Sequence, residues 1–204
     1  MEQIERAYEP SQKEIAVTSK PVKSHRDWAV SKYKSFRDNL KNHYREQQSN
    51  LCCYCKKTLG FDLKEVEIEH VLPKSIYTQF IFESRNLALS CPACNTSKGS
   101  IDVFVGKQVT SCYPIESDSF SIIHPHYDKY SEHINIVEQF LYAPLSKKGT
   151  ETIRTCKLHR LNKVMKNANT INKEKVSAET LIEGISAMTK EQRQIVAQML
   201  FPAE

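Results

Sequence analysis

Two Cys-x2-Cys pairs, Cys52/Cys55 and Cys91/Cys94, enclose Glu69-His70, and the second pair runs directly into Asn95. Two intervening residues is the spacing at which a tight knuckle turns two sulfurs toward one tetrahedral ion, so the four thiolates predict a structural metal site. Zinc suits four thiolates, being a borderline-soft ion. The remaining groups suit a different task. Hydrolysis of a phosphodiester needs a base to activate water, a hard cation to neutralise charge on the phosphate and the leaving oxygen, and oxygen ligands to hold that cation. His70 is the candidate base. The carboxylate of Glu69 and the amide oxygen of Asn95 suit a hydrated Mg2+ or Mn2+, which takes one or two protein oxygens and keeps several waters. Asn86, just before the apolar run Leu87-Ala88-Leu89, is the candidate for orienting His70. A helix opening near Asn95 would add backbone N–H groups for a phosphate.

The gap between the pairs is 35 residues, longer than the roughly 15–20 of common zinc ribbons. The knuckles therefore enclose an insert, and the insert carries Glu69-His70. Val66-Glu67-Ile68 reads as a short strand leading into it. Upstream, residues 1–21 form a polar arm with one short element. Arg26 to Gln48 has a helical pattern, with Trp28, Val30, Tyr33, Phe36, Leu40 and Tyr44 on one face and basic residues on the other. Downstream, Phe120 to Ile123 and Ile134 to Tyr142 are strand-like, separated by His124-Pro125-His126. Ile153, Leu158, Leu161 and Met165 mark one helix, and Ala178 to Leu200 another. Three regions result: an N-terminal arm and helix (1–50), a cysteine-stapled module (51–100), and a mixed strand segment with a C-terminal helical region (101–204). The expected class is α+β, mostly helical.

Composition narrows the setting. At 204 residues and 40% hydrophobic, the chain can bury an ordinary core and does not have the composition of a disordered protein. It shows neither a secretory leader nor a run of about 18 apolar residues, so a soluble, cytoplasmic protein is expected. In a reducing compartment paired cysteines favour metal over disulfides, leaving Cys53, Cys112 and Cys156 as spectators of the seven. The net charge of +5 is a mild lean toward polyanions, with basic residues gathered at Lys20–Arg45 and Lys147–Lys175.

The order Cys-x2-Cys, Glu-His-x2-Pro-Lys-Ser, Asn-Leu-x-Leu-x-Cys-x2-Cys-Asn-x2-Lys-Gly over Leu51 to Gly99 resembles the HNH endonucleases. That resemblance implies a ββα-metal finger with His70 as general base, Asn86 as the asparagine that positions it, and Glu69 and Asn95 at the catalytic cation. Many members have histidine at the position of Asn95, and aspartate is frequent at that of Glu69. A wider likeness adds Ile-His-Pro-His-Tyr-Asp-Lys-Tyr-Ser-Glu-His-Ile, Thr152-Ile153 and Leu158-His159-Arg160-Leu161-Asn162. These look like the PtuB-type HNH subunits of Septu and retron-associated anti-phage systems. The likeness implies a nucleic acid substrate, DNA before RNA, and a partner ATPase of the ABC/SMC type, PtuA-like, with retron components in some systems; a membrane is not implied. His124, His126, Glu132 and His133 then belong to a structural turn rather than a second metal site. The alternatives are a stand-alone restriction-type nuclease and a non-catalytic zinc-dependent nucleic-acid-binding module.

Overall fold

A computed structural model describes residues 2–62, 64–106, 112–138, 141–160, 186 and 188–194. The chain divides into two compact units, Met1–Tyr130 and Ser131–Glu204.

In the first unit, α1 (Gln12–Thr18) is started by a capping box in which Ser11 and Glu14 satisfy each other's backbone N–H. The helix expected from Arg26 begins later, as α2 (Lys34–Gln47). Before it come two 3-10 turns, His25–Ala29 and Ser31–Tyr33, separated by Val30 in an extended conformation at ψ 140°. Ser24 and Asp27 form their own capping box, which starts a separate turn upstream of the helix. Phe36, Leu40 and Tyr44 are the buried face of α2, as the apolar spacing implies.

Strands β1 (Glu67–His70) and β2 (Leu87–Ser90) pair antiparallel, with Glu69 opposite Ala88 and His70 opposite Leu87. The outer edge of β2 would leave backbone groups unpaired, and side chains together with the Cys53 N–H, which donates to the Leu89 carbonyl at 3.0 Å, take the place of a third strand. Gln48 donates to the Leu89 carbonyl at 2.9 Å and accepts from the Leu89 N–H at 2.7 Å. A ring N–H of His126 meets the Leu87 carbonyl at 2.8 Å. Helix α3 (Pro92–Lys98) follows β2 directly, with Pro92 in its first turn and Gly99 at φ 52° ending it, a conformation that favours glycine. Phe120 pairs with Phe104 in a single bridge, so the strand expected over Phe120 to Ile123 is reduced to that contact.

In the second unit, the stretch read as strand-like from Ile134 folds as a hairpin of β3 (Ile134–Val137) and β4 (Leu141–Pro144). Helix α4 (Lys147–Thr155) follows, capped by Ser146. Gly149 comes so close to the His133 carbonyl that a Cβ would lie 1.9 Å from that oxygen. Leu161 and Met165 lie outside the described residues, as does most of the helix expected over Ala178 to Leu200, of which residues 186 and 190–194 are helical. With 40% helix and two small sheets among the described residues, the fold is mixed α+β, which corrects the expectation of a mostly helical protein. Short strands and single 3-10 turns occupy connections that a helical periodicity count passes over. No helix among the described residues is long and apolar enough to cross a membrane.

Candidate active site

The four cysteines converge. The sulfurs of Cys52, Cys55, Cys91 and Cys94 all lie within 4.8 Å of one another, and those of Cys55 and Cys91 are 3.8 Å apart. A tetrahedral zinc with bonds of about 2.3 Å has sulfur–sulfur edges of about 3.8 Å, so the cage fits that ion. The first knuckle is closed by the Lys56 N–H donating to the Cys52 carbonyl at 3.0 Å, with Lys56 at φ 55°. In the second, the N–H groups of Cys94 and Asn95 both donate to the Cys91 carbonyl at 3.1 Å. Hydrogen bonds within the cluster hold the Cys52 and Cys91 sulfurs below the usual thiol range against burial, while the same bonds push Cys55 and Cys94 up. A thiolate is the form a metal takes. Among the described residues this is the group of three or more His, Cys, Asp or Glu placed for a metal. His124 and His126 are instead buried in a hydrogen-bonded turn.

The period-two geometry of β1 separates Glu69 from His70, which face opposite sides of the ribbon. On one side Glu67 and Glu69 meet α3. Asn95 donates its amide to Glu67 Oε2 at 2.5 Å, and Lys98 Nζ lies 2.7 Å from Glu69 Oε1 in a pair with both side chains buried. Tyr54, from the first knuckle, donates to the same Glu69 oxygen at 3.0 Å, and Lys98 also donates to the His70 carbonyl at 2.9 Å. Burial raises the Glu69 carboxyl above its ordinary range, with Lys98 opposing. Asn95 sits inside α3, which opens at Pro92, and its N–H, like that of Cys94, is bonded to the Cys91 carbonyl.

On the other side His70 Nε2 meets the Ile81 carbonyl at 3.1 Å, which makes Nε2 the N–H donor and leaves the lone pair on Nδ1. Nδ1 is buried and has no hydrogen-bond partner among the described residues. Burial lowers the imidazole pKa to about 3, helped by Lys74 and Lys98 and opposed by the Ile81 carbonyl, so the ring is neutral at pH 7. Trp28, from the first 3-10 turn, packs edge-on against His70 with ring centres 4.6 Å apart.

Asn86 lies at the centre of the loop that joins these pieces. Its Oδ1 accepts from the Leu72 N–H at 2.7 Å, and its Nδ2 donates to the carbonyls of Leu72 at 3.2 Å and Phe80 at 3.1 Å. It thus ties both ends of the segment between His70 and Ile81, whose carbonyl meets the imidazole. Asn86 is brought to the His70 loop, whereas Glu69 and Asn95 share the α3 side with Glu67 between them. Spacing did not identify Glu67, Tyr54, Lys98 or Trp28 as site residues. Alternation along β1 would have placed Glu67 beside Glu69; the other three come from packing.

A cysteine-knuckled strand–strand–helix unit presenting a neutral, oriented imidazole defines a class, and residues 52–100 match the HNH endonuclease family; the chain carries an HNH domain there. More broadly it is 33% identical over 122 residues to the Septu protein PtuB of Bacillus thuringiensis. That match covers 59% of this chain and 41% of the relative, so the similarity to PtuB is established over part of each protein.

Proposed function

We propose that this protein is a metal-dependent endonuclease that hydrolyses nucleic acid phosphodiesters as the effector of an anti-phage complex with a PtuA-like ATPase. The observation that carries the reading is the His70 imidazole, with Nε2–H donated to the Ile81 carbonyl and Nδ1 left as an unpaired base. In the reaction Nδ1 takes a proton from the attacking water, and the Ile81 carbonyl supports the positive charge the ring acquires. Glu69 and Asn95, on the α3 side of the ribbon and across β1 from the imidazole, would hold the divalent cation, Mg2+ or Mn2+. Both Glu69 contacts fall on Oε1, which leaves Oε2 as its ligand oxygen, and the Asn95 amide nitrogen is anchored by Glu67, which leaves Oδ1. The cation would neutralise charge on the phosphate and the departing oxygen. The zinc cage holds the two ends of the finger together. Trp28 must give way for water and phosphate to reach Nδ1, which makes its turn a natural point of control by a partner.

The test is cleavage of DNA and RNA by the zinc-loaded chain, alone and co-expressed with the ATPase. His70→Ala should keep zinc and fold yet cut at least about a hundredfold more slowly, the usual contribution of a positioned base. Wild-type rates in that variant would refute the mechanism. The two proteins should elute as one complex; separate elution with full activity of the lone chain would instead identify a stand-alone nuclease.

A further inference from the structure

Asn86 is itself held from beyond the HNH domain. The Tyr113 hydroxyl lies 3.2 Å from Asn86 Oδ1 and 2.9 Å from His124 Nε2. The direction of these bonds follows from elementary donor counting. The His126 backbone N–H can only donate, and it points at His124 Nδ1 from 3.2 Å. Nδ1 is therefore the acceptor nitrogen, Nε2 carries the hydrogen and donates it to the Tyr113 oxygen, and the Tyr113 hydroxyl hydrogen goes to Asn86. His124 is firmly set. Its backbone N–H donates to Asp128 Oδ2 at 2.6 Å, and its ring stacks on Tyr127 with centres 4.1 Å apart and an interplanar angle of 9°. Tyr113 is packed edge-on against Phe80, at 5.2 Å, and in a tilted contact against Phe120 at 5.9 Å.

We propose that Tyr113 is a positioning residue of the HNH site, with His124 as its anchor. The His124–Tyr113–Asn86 relay fixes the carboxamide that ties Leu72 and Phe80, and so holds the Ile81 carbonyl against His70 Nε2. The inference rests on the reading of His70 as the base. A residue needed only for packing would serve as well without its hydroxyl, since the aromatic contacts belong to the ring. The hydroxyl adds to the three bonds with Leu72 and Phe80 a second donor on Asn86 Oδ1, which among the described residues otherwise has the Leu72 N–H.

Tyr113→Phe keeps the ring and deletes the relay. In full-length, zinc-loaded protein labelled with 15N-histidine, the His70 ring signals, assigned by their loss in His70→Gln, should report the Nε2–H form in the wild type. In Tyr113→Phe they should shift toward a mixture of tautomers, with melting temperature and zinc content nearly unchanged. Cleavage, by the chain or by its complex, should lose about tenfold in kcat with KM unaltered, the scale of one hydrogen bond. Unchanged His70 signals would overturn the proposal. So would a lower melting temperature accompanied by unchanged kcat per folded molecule, which would mark Tyr113 as structural only. If the wild type cuts nothing while the His70 signals respond to Tyr113→Phe, the nuclease reading fails and the positioning role stands.

Discussion

Replacing Lys98 with methionine should destabilise the protein in a way that depends on Glu69 and on pH. The ammonium makes two buried contacts, 2.7 Å to Glu69 Oε1 and 2.9 Å to the His70 carbonyl, and both side chains of the pair are within 2% of complete burial. Methionine keeps most of the volume and removes the charge, leaving the Tyr54 hydroxyl as the remaining partner of the carboxylate. Breaking a buried pair on one side costs about 3–5 kcal/mol, because a charge is left uncompensated. Protonation of Glu69 relieves that cost. Burial already raises this carboxyl, and deleting Lys98 removes the largest group opposing the rise, leaving Tyr54 and Lys74. The folded variant then binds a proton more tightly than the unfolded chain, so its stability falls as pH rises through the window between the ordinary carboxyl value and the raised one. The slope has a ceiling of about 1.4 kcal/mol per pH unit. Urea unfolding of zinc-loaded protein across pH 5–8 measures this directly. Adding Glu69→Gln to Lys98→Met should recover at least about 2 kcal/mol, since no charge is then buried alone. A Lys98→Met loss below about 1 kcal/mol that is flat with pH and additive with Glu69→Gln would refute the buried pair.

Metal analysis should find about one zinc per chain, and Cys91→Ser should fail to hold it and leave the HNH domain unfolded, because structural zinc supplies folding free energy of order 10 kcal/mol; a fully zinc-loaded Cys91→Ser variant would contradict the cage. His126 should make the fold acid-sensitive. Burial lowers its pKa to about 4, so between that value and about 6.5 the unfolded chain binds a proton that the folded chain refuses, and stability falls with pH by up to about 3 kcal/mol. His126→Gln should show less of this loss than the wild type when urea midpoints are compared at pH 7 and pH 4.5. Glu69→Ala and Asn95→Ala should each raise the Mg2+ or Mn2+ concentration needed for half-maximal cleavage, measured by titration of the ion into metal-stripped reactions that retain zinc.

The parts legible in the sequence are those whose physics is local. Two residues between cysteines suffice for a knuckle, and apolar spacing suffices for the buried face of Phe36, Leu40 and Tyr44; both are visible without knowing what packs where. The strand read at Val66 to Ile68 was legible for the same reason, and it extends through Glu69-His70. Its two faces follow from alternation, but their partners do not. Tyr54 and Lys98 reach Glu69 from a knuckle and a helix, and Trp28 and the Ile81 carbonyl reach His70 from two other segments. Such contacts join groups between 11 and 42 positions apart, and no periodicity encodes them, because they depend on how loops close and on which buried polar atom must find a partner. The late start of α2 at Lys34 is also local in origin, since the Ser24–Asp27 cap and the extended Val30 interrupt an apolar pattern that continues upstream, and periodicity alone passes over such a cap. The sequence by itself determined which chemical groups are present and which of them can share an ion. Only packing decided which nitrogen of His70 keeps its lone pair, since that is set by a carbonyl 11 residues away.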